Sequence, residues 1–137
     1  MGYFTNSPDE AESSFYAAFE HLDLELMKAT WHKSNETFCV HPGGPVHQGY
    51  EEVIKTWDFI LKGTDSVSIA YNILSKQSNA DLEIHLVEEK IGPQDDQVTI
   101  LSTNTYIHTD EGWRILSHHT SLPPAEKKPA TAPKQIH

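Results

Sequence analysis

Apolar residues follow a helical rhythm in the first half of the chain and an alternating one in the second. Ala11, Phe15, Ala18, Phe19 and Leu22 recur at three- and four-residue spacing, the buried stripe of an amphipathic helix. Ser7-Pro8-Asp9-Glu10 has the form of a helix start, with a serine to cap, a proline at the first position and a glutamate to close a capping box. Asp23 caps a second helix with Leu26, Met27, Thr30 and Trp31 on its inner side. A third spans Tyr50 to Lys62, with Val53, Ile54, Trp57, Ile60 and Leu61 inward and Gly63 ending it. Before it, a short strand from Thr37 to His41 runs into His41-Pro42-Gly43-Gly44-Pro45, where prolines and glycines leave only a loop.

After Gly63 the period becomes two. Val67, Ile69, Tyr71 and Ile73 form the apolar set of one half-buried strand; Leu82, Ile84 and Leu86 form that of the next, alternating with Glu83, His85 and Val87. A turn at Gly92-Pro93-Gln94-Asp95-Asp96 leads to a long strand, Val98 to His108, with apolar residues on both faces. Asp110-Glu111-Gly112 turns into a last strand, Trp113 to Ser121. Three helices with one short strand among them, followed by a four-strand meander, predict an α+β fold with the helices on one face of the sheet. Apolar residues on the other face call for a partner there, and a homodimer through the sheet is the expectation. Residues 1–122 read as one domain, and the Pro- and Lys-rich segment 123–137 as a disordered tail.

Composition narrows the function classes. The formal net charge is −10, and the tail holds three lysines against one glutamate, so the body is more acidic still. Such a surface repels phosphate backbones and argues against nucleic-acid binding. No apolar run is long enough for a membrane span, and the first residues lack a basic flank followed by an apolar stretch, so a cytoplasmic location is expected. Cys39 is the single cysteine, which excludes an internal disulfide and a thiolate zinc site. Neither a cofactor nor a metal is expected, since no H-x-x-x-H spacing occurs.

Several segments, in order, carry a family resemblance. They are Phe15-Tyr16-Ala17-Ala18-Phe19 with Asp23-Leu24-Glu25, Val40-His41-Pro42-Gly43-Gly44, Gly49 through Trp57, Asn104, and Gly112-Trp113-Arg114-Ile115-Leu116-Ser117-His118-His119. Over residues 8–122 the chain resembles the SnoaL-like and ketosteroid-isomerase-like branch of the nuclear-transport-factor-like superfamily. The resemblance implies a cone: a curled antiparallel sheet wrapped by three N-terminal helices, the cystatin-like α+β roll, with a pocket at its mouth. It implies a protein that binds a small apolar or carbonyl-bearing molecule, with isomerase or lyase chemistry by proton abstraction beside a carbonyl. The alternative is a non-catalytic dimeric association or scaffold domain.

The same resemblance marks candidate residues. His41, before Pro42, matches the position of the isomerases' catalytic aspartate, the base, and a histidine can abstract a proton near neutral pH. Asn104 falls where those enzymes place a protonated acid, and either polarises a ligand carbonyl or is a buried amide satisfied by its neighbours. Phe15 stands where they carry an oxyanion tyrosine and cannot donate; Tyr16 is one position on, roughly 100° around the helix. His118 and His119 are adjacent on a strand and must face opposite ways, with the resemblance favouring His118 inward. Trp31 and Trp57 are core residues or walls of the pocket.

Overall fold

Ser7 accepts a hydrogen bond from the Glu10 amide (3.1 Å) and starts α1, Pro8–Glu20, in this computed structural model, which describes residues 5–122 apart from Gln94. The Glu10 carboxylate reaches back to the amide of Asn6 rather than of Ser7 (2.7 Å), so the capping box closes one residue early. Asp23 caps α2, Leu24–Thr30, by accepting from Leu26 N (3.1 Å). Helix α3, Tyr50–Lys62, has no side-chain cap; Gly49 precedes it at φ 91°.

Six strands form one curled, unclosed sheet. They are β1, Phe38–Val40; β2, Val46–Gln48; β3, Ile69–Ser78; β4, Leu82–Ile91; β5, Val98–Thr109; and β6, Gly112–Thr120. Their order across the sheet is β2-β1-β6-β5-β4-β3. The meander of four is as expected, but two short strands lie among the helices instead of one. The His41–Pro45 loop is a hairpin connection, and β2 returns antiparallel to β1, pairing Val40 with Val46. Strand β1 lies parallel to β6, so the sheet is antiparallel except at this pair. The proposed tail, 123–137, lies outside the described residues.

The helices cover one face of the sheet, and the core between them contains Phe15, Met27, Trp31, Trp57, Val87 and Ile115, all at most 1% exposed. The apolar face expected for β4 is reversed. His85, Val87 and Glu89 turn inward and are buried, whereas Leu86 is 37% exposed. The reason lies on α1: Glu12 and Tyr16 present polar groups that a leucine face could not satisfy. No helix among the described residues is long and apolar enough to cross a membrane.

Candidate functional site

One row of side chains crosses the inside of the sheet. Strand register aligns His47, Cys39, His118, Asn104, His85 and Lys76, one from each strand in sheet order. Neighbours in register share a face, so the row lies under the helices. Burial agrees for its centre: Cys39, Asn104 and His85 are fully buried and His118 is 3% exposed, whereas His119 is exposed on the outer face.

Helix α1 meets the middle of this row with Glu12 and Tyr16, one turn apart. Glu12, fully buried, accepts from His85 Nδ1 (2.9 Å), Tyr106 Oη (2.5 Å) and Asn104 Nδ2 (3.2 Å). Tyr16 donates its hydroxyl proton to Glu89 (2.5 Å) and accepts from Asn104 Nδ2 (3.0 Å). An amide has two N–H donors. Both of Asn104's are therefore spent, and its Oδ1 accepts from His118 Nδ1 (2.5 Å). The carboxylate of Glu12 can only accept, which fixes which end of the amide is nitrogen.

Burial pushes the Glu89 carboxyl and the Tyr16 and Tyr106 hydroxyls above their ordinary values, and neighbouring negative charge adds to the effect on all three. Burial, then the charges of His41 and His119, lowers His118 to about 3, so it is a neutral Nδ1–H tautomer. Burial opposes charge on His85 too, but hydrogen bonds to Glu12 and Glu83 outweigh it and raise the pKa.

His41 stands apart from this network. It follows β1 and sets its ring edge-on to Trp57, with centroids 4.9 Å apart, while His47 lies at 5.7 Å. Burial and then His47 lower it to about 4, so it is an uncharged, half-buried base at neutral pH. Phe15 forms the hub of an aromatic cluster with Tyr16 (4.8 Å), Trp57 (5.5 Å), Trp31 (6.0 Å) and His118 (4.8 Å). Trp57 thus touches both His41 and Phe15, and Phe15 packs on His118, the hydrogen-bond partner of Asn104. Surface grooves lie elsewhere, two of them beside the loop that follows α2. One, of about 660 Å³, is bounded by Lys33, Ser34, Gln48 and Tyr50; the other, of about 330 Å³, by His32, Asp110 and Arg114.

The sequence expectation set His41 and Asn104 in one pocket; the structure joins Asn104 to Tyr16 and His118, leaves His41 outside that network, and adds Glu12, His85 and Glu89, which sequence reasoning missed. A signal for Glu12 existed: it is an acid one step from Ala11 on the apolar stripe of α1, four residues before Tyr16.

Comparison with known proteins agrees with this architecture. The SnoaL-like domain model matches residues 10–126. A Thiobacillus denitrificans structure described as a calcium/calmodulin-dependent protein kinase type II association domain superposes with a TM-score of 0.84 at 29% identity, covering 90% of this chain and 99% of that one. A Streptomyces avermitilis structure described as a dehydratase of the NTF2-like family gives 0.76 at 27% identity, covering 84% and 92%. A ketosteroid isomerase-like protein from Erwinia carotovora atroseptica shares the fold at 18% identity, with a TM-score of 0.67 and coverage of 82% and 91%. Among curated sequences, the F-box protein SKIP8 of Arabidopsis thaliana is 23% identical over 121 residues, 80% of this chain; the chain spans 47% of that protein's length. The chain belongs to the SnoaL-like domain family, and it shares its fold with NTF2-like and ketosteroid isomerase-like proteins.

Proposed function

We propose that this chain is a non-catalytic self-association module in which two copies meet through the outer face of the sheet. The observation that carries this reading is the closed interior. A reaction beside a carbonyl needs a free base and a free donor reaching one void. Asn104 has both donors committed and no exposed surface. Freeing one for a ligand leaves a buried carboxylate or hydroxyl short of a partner, at about 1 to 3 kcal/mol.

The outer face supplies what association needs. Leu86 and Leu101 are 37% and 44% exposed, and by register they stand among Ile84, Glu88, Thr103, Thr105 and His119. Apolar side chains at the centre of a sheet face, rimmed by threonine and charge, suit a two-fold contact with a second copy. The resemblance, over 90% of this chain, to a protein described as an association domain points the same way.

Light scattering on the purified chain tests this. The expected mass at micromolar concentration is a dimer or a larger closed assembly, and the double variant Leu86→Glu, Leu101→Glu should run as a folded monomer. A wild-type monomer would end the proposal.

A second reading keeps the surroundings of His41 as a binding place, because His41 is uncharged, half-buried and backed by Trp57. Co-purification of a carbonyl compound that His41→Ala releases would favour it.

A further inference from the structure

Between the first turn of α1 and the start of β4, three potential metal ligands converge. Asp9 comes from the first turn of α1, and Glu83 and His85 from the same face of β4; one ligand atom from each lies within 4.8 Å of the others. We propose that Asp9, Glu83 and His85 form a binding site for a divalent transition cation of the zinc type, with water completing a tetrahedral shell.

The histidine is prepared for this role. His85 is fully buried, and its Nδ1 is tied to the buried carboxylate of Glu12, itself held by Tyr106 and Asn104. A carboxylate behind the imidazole fixes the tautomer and aims the second nitrogen, the support that metal-bound histidines characteristically have. Here Nε2 is aimed at the two acids, 2.6 Å from Glu83 Oε2 and 3.8 Å from Asp9 Oδ1. Glu83 is positioned too: its other oxygen accepts from Ser78 (2.7 Å), leaving Oε2 toward the site.

The distances suit a small metal. Donors on a tetrahedral zinc stand roughly 3.3 Å apart, given bonds of about 2.0 Å. The present separations bracket that value, so the metal opens one contact and closes the other. Its charge takes over from two partners. The Lys76 ammonium, 2.9 Å from Asp9 and 43% exposed, swings into water, and the proton between His85 and Glu83 leaves. One nitrogen with two carboxylate oxygens is a donor set that zinc accepts and that matches neither the all-oxygen shell of calcium nor that of magnesium. The sequence carries no spacing signal, because Asp9 lies more than seventy residues from its partners.

Zinc chloride titrated calorimetrically into the full chain tests the site. The expected result is one zinc per chain with a rise in thermal midpoint, and cobalt(II) in its place should show the visible bands of a tetrahedral ion. Asp9→Asn and Glu83→Gln change exposed or half-buried groups, so both should stay folded by circular dichroism while binding roughly tenfold or more weakly. His47→Ala, outside the site, should bind as wild type. No stoichiometric zinc in the wild type, or undiminished binding in the Asp9→Asn, Glu83→Gln double variant, would overturn the proposal.

Discussion

His118 and Asn104 face each other across the β5–β6 ladder, and the imidazole gives its Nδ1 proton to the amide oxygen at 2.5 Å. This bond joins the aromatic cluster around Phe15 to the acid network around Glu12. Its two partners therefore control different properties, one mainly polar satisfaction and the other mainly the response to acid.

Asn104→Leu should destabilise the fold by about 1 to 3 kcal/mol for each buried group left short, with Glu12, Tyr16 and His118 all affected. Urea unfolding measures it. A loss below 1 kcal/mol would mean that the network relaxes around the change, against the closed geometry described above.

Stability should fall as the pH drops from 6.5 toward 4. His118 and His41 are depressed to about 3 and about 4 in the folded chain, mainly by burial, against an ordinary value of 6.5. Across that window the unfolded chain takes up protons that the folded chain refuses, so each histidine contributes a slope of about 1.4 kcal/mol per pH unit. Glu89, raised by burial, opposes this in part, because there the folded state holds the extra proton. His118→Asn keeps a donor for Asn104 and removes one titration, so its urea midpoint should decline less steeply than that of the wild type. Equal slopes would refute the assignment.

Two glycines separate strain from collision. Gly49 and Gly112 both have positive φ, 91° and 98°. A Cβ on Gly49 meets open space, so Gly49→Ala should cost about 1 to 3 kcal/mol of backbone strain. A Cβ on Gly112 would lie 2.3 Å from the Thr5 carbonyl oxygen, which also accepts from Trp113 N (3.0 Å). Gly112→Ala should therefore lower the thermal midpoint by clearly more than Gly49→Ala, and equal losses would show that the Thr5 contact is dispensable.

Much of this fold was legible because local signals were strong. Ser7 and Asp23 cap their helices as read, and α3 keeps its expected bounds. What escaped depended on distant partners. The inner face of β4 is polar because Glu12, 73 residues away, waits for His85. Alternation alone favours the Leu82-Ile84-Leu86 face, since it measures hydrophobicity and not the availability of a counter-charge. Strand β2 has three residues between a proline and a glycine, too few for any period to register. Alternation established only that His118 and His119 face opposite ways; the family resemblance, not the strand pattern, favoured His118 as the inward one.

The placement of β6 has a consequence for biosynthesis. The last described strand to leave the ribosome is not at an edge: β1 takes one of its sides and β5 the other. Until residues 112–120 emerge, β1 and β2 have no sheet to join, and Phe15 of α1 has Trp31 and Trp57 against it but not His118. The nascent chain can zip the β3-β4-β5 meander early, since those pairings are local, but it closes late and all at once around its final strand. Long-range closure of this kind is slow relative to hairpin formation and leaves apolar surface open to chaperones meanwhile. A break in β6 therefore unmakes both halves of the molecule.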